Sequence, residues 1–84
     1  SQSAIEYIWG KFSDAYFDKA TSELQSQILK ITKAMQHRIT TESDSMKKAF
    51  AESILNLISD FEKRNKEIDF SLEKEYFRNV ISPT

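Results

Sequence analysis

The only histidine, His37, shares a polar row of a helical wheel with Lys30 and Lys33. An exposed imidazole beside cations is an arrangement that can accept a phosphoryl group: the ring nitrogen is nucleophilic near neutral pH and the cations steady the transferred charge. Such a histidine needs a small neighbour so that a donor protein can approach. Here Arg38, Ile39, Thr40 and Thr41 follow it, with bulk where space is required. His37 therefore reads as a solvated histidine near a helix end. Asp14 and Asp18 stand one helical turn apart and could share a cation, but two carboxylates make a weak site without further ligands. No acid lies three or four residues from His37, the chain has no cysteine, and neither a Gly-x-Ser-x-Gly elbow nor a phosphate loop is present. These absences predict no catalytic residue, no metal and no cofactor.

Two clusters could bind rather than react. Tyr7, Trp9, Phe12, Tyr16 and Phe17 bring five aromatic rings into eleven residues. Part of this must be core, since each ring buries about 150–250 Å². Tyr7 and Phe17, however, point away from Phe12 on a helix, and Trp and Tyr are preferred anchors of protein interfaces. These five are the expected binding residues, and Gly10 among them would let another backbone come close. The second cluster is basic: Lys30, Lys33, Arg38, Lys47 and Lys48 could meet about four or five phosphates. Net charge is −1, and Glu42 and Asp44 stand among those cations. A nucleic-acid-associated domain is accordingly the alternative to a protein-binding one.

The elements that must position these residues follow from what the chain lacks. Gly10 and Pro83 are its one glycine and one proline, so more than seventy residues between them contain neither. Hairpins and left-handed turns use glycine because it reaches positive φ without strain. Helices joined by short polar turns do not need it. Eighty-four residues are expected to form a single helical domain, residues 1–84, all-α, as a small antiparallel bundle of three or four helices. No apolar run approaches the ~20 residues that span a bilayer, and the lack of cysteine suits a cytoplasmic setting without establishing one.

The direction of the apolar face locates the breaks. Ile5, Ile8, Trp9, Phe12 and Tyr16 share one face, whereas Leu24, Ile28, Ile31, Met35 and Ile39 centre about 135° away. A break near Lys19–Ser22 accounts for the offset, and Ser22-Glu23-Leu24-Gln25 fits a capping box there. Thr40–Ser45 is a run of cap-forming side chains that predicts a second break. A helix over 44–67 follows, with Met46, Phe50, Ile54, Leu57, Ile58 and Phe61 inward. A turn around Asp69–Ser71 then leads to a last helix carrying Leu72, Tyr76, Phe77 and Val80. The competing arrangement is a hairpin of two long helices, 4–39 and 44–80, that dimerises into a four-helix bundle.

In size, helicity and lack of cysteine the chain resembles several groups of small helical bundles, among them bacteriocin immunity proteins, secretion chaperones and anti-sigma-type inhibitors. That likeness is architectural. It implies a non-catalytic interaction module of immunity, inhibitor, chaperone or adaptor type, with a protein partner and scope for a homodimer.

Overall fold

The computed structural model describes residues 3–37 and 43–83, and among them the capping residues of the helices keep negative φ. The capping residues Thr21, Ser43, Asn65 and Phe70 have φ of −67°, −84°, −131° and −101°. Each is accessible to an ordinary L-residue, so no glycine is needed at a helix end. The described residues form four α-helices: α1 (Ala4–Tyr16), α2 (Ser22–Gln36), α3 (Asp44–Arg64) and α4 (Ser71–Ile81), with a 3₁₀ turn, Phe17–Lys19, after α1. The protein is a small all-α helical bundle. The long hairpin is not formed, because both of its arms are interrupted.

The first interruption falls where the apolar face shifts, but its cap differs from the expected one. Thr21, not Ser22, is the extended residue, and its Oγ1 accepts a 3.2 Å bond from the Leu24 amide. Ser22 is already helical. With Thr21 as the cap, the position that would return the bond is Leu24, which has no polar group to return it. Gln25 instead reaches back across the break, its Nε2 donating to the Phe17 carbonyl at 2.9 Å. The joint is thereby held from both sides, and two orphan backbone groups find partners. At the start of α1, Ser3 caps the Glu6 amide at 3.3 Å. Thr40–Glu42 of the second expected break lie outside the described residues; Ser43 is the cap from which α3 starts.

α3 ends at Arg64, three residues before the expected boundary. Asn65 stops it: its backbone N–H and its side-chain Nδ2 both donate to the Phe61 carbonyl, at 2.9 and 3.2 Å. Asp69 then turns the chain, its carboxylate accepting from the Ser71 amide at 2.9 Å and from the Ser71 hydroxyl. Those bonds hold the Asp69 carboxyl below its usual range.

The core is built from one stripe of each helix: Ile5, Trp9 and Phe12; Leu24, Ile28 and Met35; Phe50, Ala51, Ile54, Leu57, Ile58 and Phe61; and Phe77. Phe70 joins them from the turn before α4. The largest difference from the expected stripes is Leu72, which is 80% exposed. On a helix Leu72 lies about 140° from Phe77, whereas Phe70, two turns before Phe77, lies within about 20° of it. The inward row is thus Phe70–Phe77–Ile81, and Leu72 is turned out of it. Glu62 of α3 fastens α4 by accepting from Lys74 Nζ at 2.6 Å. The pair is partly exposed and contributes less than about 1 kcal/mol.

Candidate protein-docking face

The five clustered aromatics separate into two sets. Trp9 and Phe12 are 2% and 3% exposed and belong to the core. Their rings stack at 5.5 Å with 19° between planes, and Phe12 meets Phe61 edge-on at 6.0 Å. The indole N–H of Trp9 donates to Thr32 Oγ1 at 2.9 Å, and that hydroxyl donates onward to the Ile28 carbonyl at 2.9 Å. The chain Trp9–Thr32–Ile28 joins α1 to α2 with the indole donor satisfied. Tyr16 is half-buried against Phe61 and Phe70, and its hydroxyl stands 3.5 Å from Glu73 Oε2. Burial, then the Glu73 charge and that contact, push its phenol above the usual range. In this conformation Trp9 and Phe12 cannot touch a partner. Tyr7 and the outer side of Phe17 can.

What lies opposite the core stripe is the outward side of α1. Relative to Phe12, the residues Ser3, Tyr7, Gly10 and Asp14 fall within about 40° of the opposite direction. Tyr7 is 52% exposed, and the Lys11 ammonium lies over its ring, 5.5 Å from the centroid. Tyr7, Gly10, Lys11 and Asp14 together line a shallow depression. It adjoins a groove between α1 and α2 whose floor includes Phe17, Ile28 and Leu29 and whose edge carries Asp14 and Asp18. Leu29 is 57% exposed.

Gly10 is the key to this surface. A Cβ placed on it would meet nothing within 4 Å. Internal packing therefore does not require glycine there, and glycine inside a helix costs about 0.5–1 kcal/mol relative to alanine. Gly10→Ala is expected to raise the unfolding free energy by about that amount, read from urea denaturation followed by circular dichroism. A loss of stability instead would mean that the backbone at residue 10 is packed more closely than the geometry shows.

Lys30 and Lys33 are exposed on α2 and Lys48 on α3, with Lys47 half-buried; Arg38 lies outside the described residues. His37 is exposed at the end of α2. Among the described residues, no group of three or more His, Asp or Glu is placed to hold a metal ion. No helix of the described residues is long and apolar enough to cross a membrane.

Comparison with known proteins gives one family. The model of the GSCFA domain protein, C-terminal domain, matches residues 28–83, two-thirds of the chain. The chain belongs to this family. No curated protein and no solved structure matches it. Within this GSCFA C-terminal domain the matched span runs from Ile28 through α3 and α4 to Pro83. The α1 part of the exposed face precedes that span, while Leu29 and Thr32 lie inside it. The face is thus made jointly by the matched segment and by the aromatic helix before it.

Lys11, Asp14 and Leu29 carry much of this surface and were not among the expected binding residues. Leu29 had a legible signal, an apolar residue next to Ile28 and about 100° off the inward stripe. Lys11 and Asp14 had none, since charged residues on an outward face are the ordinary case.

Proposed function

We propose that this domain is a non-catalytic protein-docking module and that the α1–α2 face is its docking surface. The observation that supports the reading is the combination at Gly10. A helix-weakening residue with open space at its Cβ position stands beside an exposed tyrosine and near an apolar groove. A hollow of this kind lets a second backbone approach, and the aromatic beside it supplies the anchor. The matching family model is described as the C-terminal domain of a GSCFA domain protein, and a small bundle attached to another folded surface is compatible with that description.

Backbone amide exchange tests the reading in two settings: the isolated chain over a concentration series, and the same chain within a longer polypeptide that carries a GSCFA domain. In at least one of them, amides along α1 and around Leu29 are expected to exchange more slowly. The double variant Tyr7→Ala/Leu29→Asp should abolish that slowing while keeping the helical signal. Unchanged exchange in both settings overturns the proposal.

A further inference from the structure

We infer that the occupant of the groove between α1 and α2 is a basic amphipathic helix of a protein partner, with apolar side chains on the groove floor and lysine or arginine along the α1 wall. The inference rests on the docking reading above and names the chemistry of its partner.

The sign of the lining is the first argument. The recess floored by Phe17, Ile28 and Leu29 continues past Ser13 and Thr32 into a smaller one that reaches Glu6 and Gln36. The charged side chains that line this trough are Glu6, Asp14 and Asp18, all acids. The whole chain carries twelve bases and thirteen acids, so a lining of one sign is a local property. The recess between the start of α2 and the end of α3 gives the contrast, with Glu23 and Asp60 set against Lys63 and Arg64.

The trough is not neutralised from within. Among the described residues the ion pairs are Lys63–Asp60 and Lys74–Glu62, and neither involves a groove acid. Glu6 accepts from the Ser3 hydroxyl through Oε1 at 3.2 Å, which occupies one of its two carboxylate oxygens. Lys11 lies on the other flank of α1, 5.5 Å from the centre of the Tyr7 ring, and Lys19 lies 6.0 Å from the centre of the Tyr16 ring. Lys33 follows Leu29 by one turn of α2 and is about 40° farther from Ile28 on the wheel, outside the rim. A cleft lined by one sign between apolar walls focuses the field of its charges.

Spacing and floor then select the occupant. Glu6 and Asp14 are eight residues apart, about 12 Å along α1, and Asp18 follows about one turn later. Acids strung out in this way are not grouped to hold a single ion; they match a row of cations. At the Asp14–Asp18 end the floor offers apolar surface, since Leu29 is 57% exposed and Phe17 is half-buried. A helix lying in the groove meets both demands, because residues one turn apart share a face and a basic row can run beside an apolar one.

Three synthetic helical peptides of about fourteen residues, long enough to span the trough, test the inference. One carries leucine at helical spacing with lysine elsewhere, one replaces each lysine by glutamate, and one replaces each leucine by serine. In amide NMR spectra of the isotope-labelled chain, the Leu/Lys peptide should shift Ser13, Phe17, Leu29 and Thr32, with Kd of about 10 μM to 1 mM. The Leu/Glu and Ser/Lys peptides should bind at least about tenfold more weakly. Asp14→Asn/Asp18→Asn should raise the Kd for the Leu/Lys peptide at least about threefold with helicity unchanged. Asp14→Lys/Asp18→Lys should reverse the preference toward the Leu/Glu peptide. Groove amides that do not move overturn the inference, as do equal affinities for the three peptides or a charge-reversed variant that keeps the parent's preference. In each of those cases, slowed exchange of α1 amides in the concentration series or within the longer GSCFA-containing polypeptide keeps the docking reading and assigns the groove to a second copy or to a surface of other chemistry. If exchange is unchanged there too, both fall.

Discussion

Phe61→Ala is expected to cost about 3–5 kcal/mol and to leave the domain largely unfolded at 37 °C. Phe61 is fully buried at the junction where three parts of the chain meet. Its ring contacts Phe12 of α1 and Phe70 of the turn before α4, each at 6.0 Å between centroids, and Tyr16 at 6.2 Å. Removing it leaves a cavity that neighbouring aromatics cannot refill, because planar rings do not collapse as aliphatic chains do. The domain has little reserve: a chain this short buries only about 60–65% of its unfolded surface. Urea denaturation at several temperatures would show the loss. Phe61→Leu separates size from shape, since it retains much of the apolar volume and should cost about half as much. A Phe61→Ala variant within about 1 kcal/mol of the parent would mean that the aromatic junction is not the centre of the core.

The helices were legible where period and composition agreed. The inward row of α3, Phe50–Ile54–Leu57–Ile58–Phe61, follows from spacing alone, and so does the break between α1 and α2, because one straight helix could not keep both apolar faces in the core. What was not legible depended on geometry that sequence specifies weakly. Thr21 and Ser22 are both good caps, and which one leaves the helix is decided by how the chain returns through the Phe17–Lys19 turn. Phe70, Leu72 and Tyr76 offered two apolar rows, and only the packing of α4 on α3 chose the row through Phe70 and Phe77. The candidate site shows the same division. An outward Tyr7 follows from its wheel position, about 140° from Phe12. The burial of Trp9 needed α2 to place Thr32 within reach of the indole, a long-range pairing that no local pattern announces. Gly10 was visible as an exception, but that internal packing does not require glycine there could be read only from the space around it.

Trp9 is where core and docking surface are most easily confused, and it carries the second large effect. Trp9→Ala should destabilise the domain by about 3–5 kcal/mol and would thereby remove any docking as well, through unfolding rather than through a lost contact. Two milder changes separate the causes. Thr32→Val keeps the shape but leaves the Trp9 indole N–H without its 2.9 Å partner in the α1–α2 seam, at a cost of about 1–3 kcal/mol. Trp9→Phe removes that donor along with part of the ring. In the double variant the indole and the hydroxyl are both gone, so no orphan donor remains, and its stability should exceed the sum expected from the two single changes. A double-mutant cycle by urea denaturation measures this coupling, and the emission maximum of the sole tryptophan reports whether the indole of Thr32→Val has moved toward water. Coupling near zero would mean that the Trp9–Thr32 bond does not hold α1 to α2. The face built on Tyr7, Gly10 and Leu29 would then lack the fixed backing it needs, because α1 presents that face only while Trp9 anchors its opposite side.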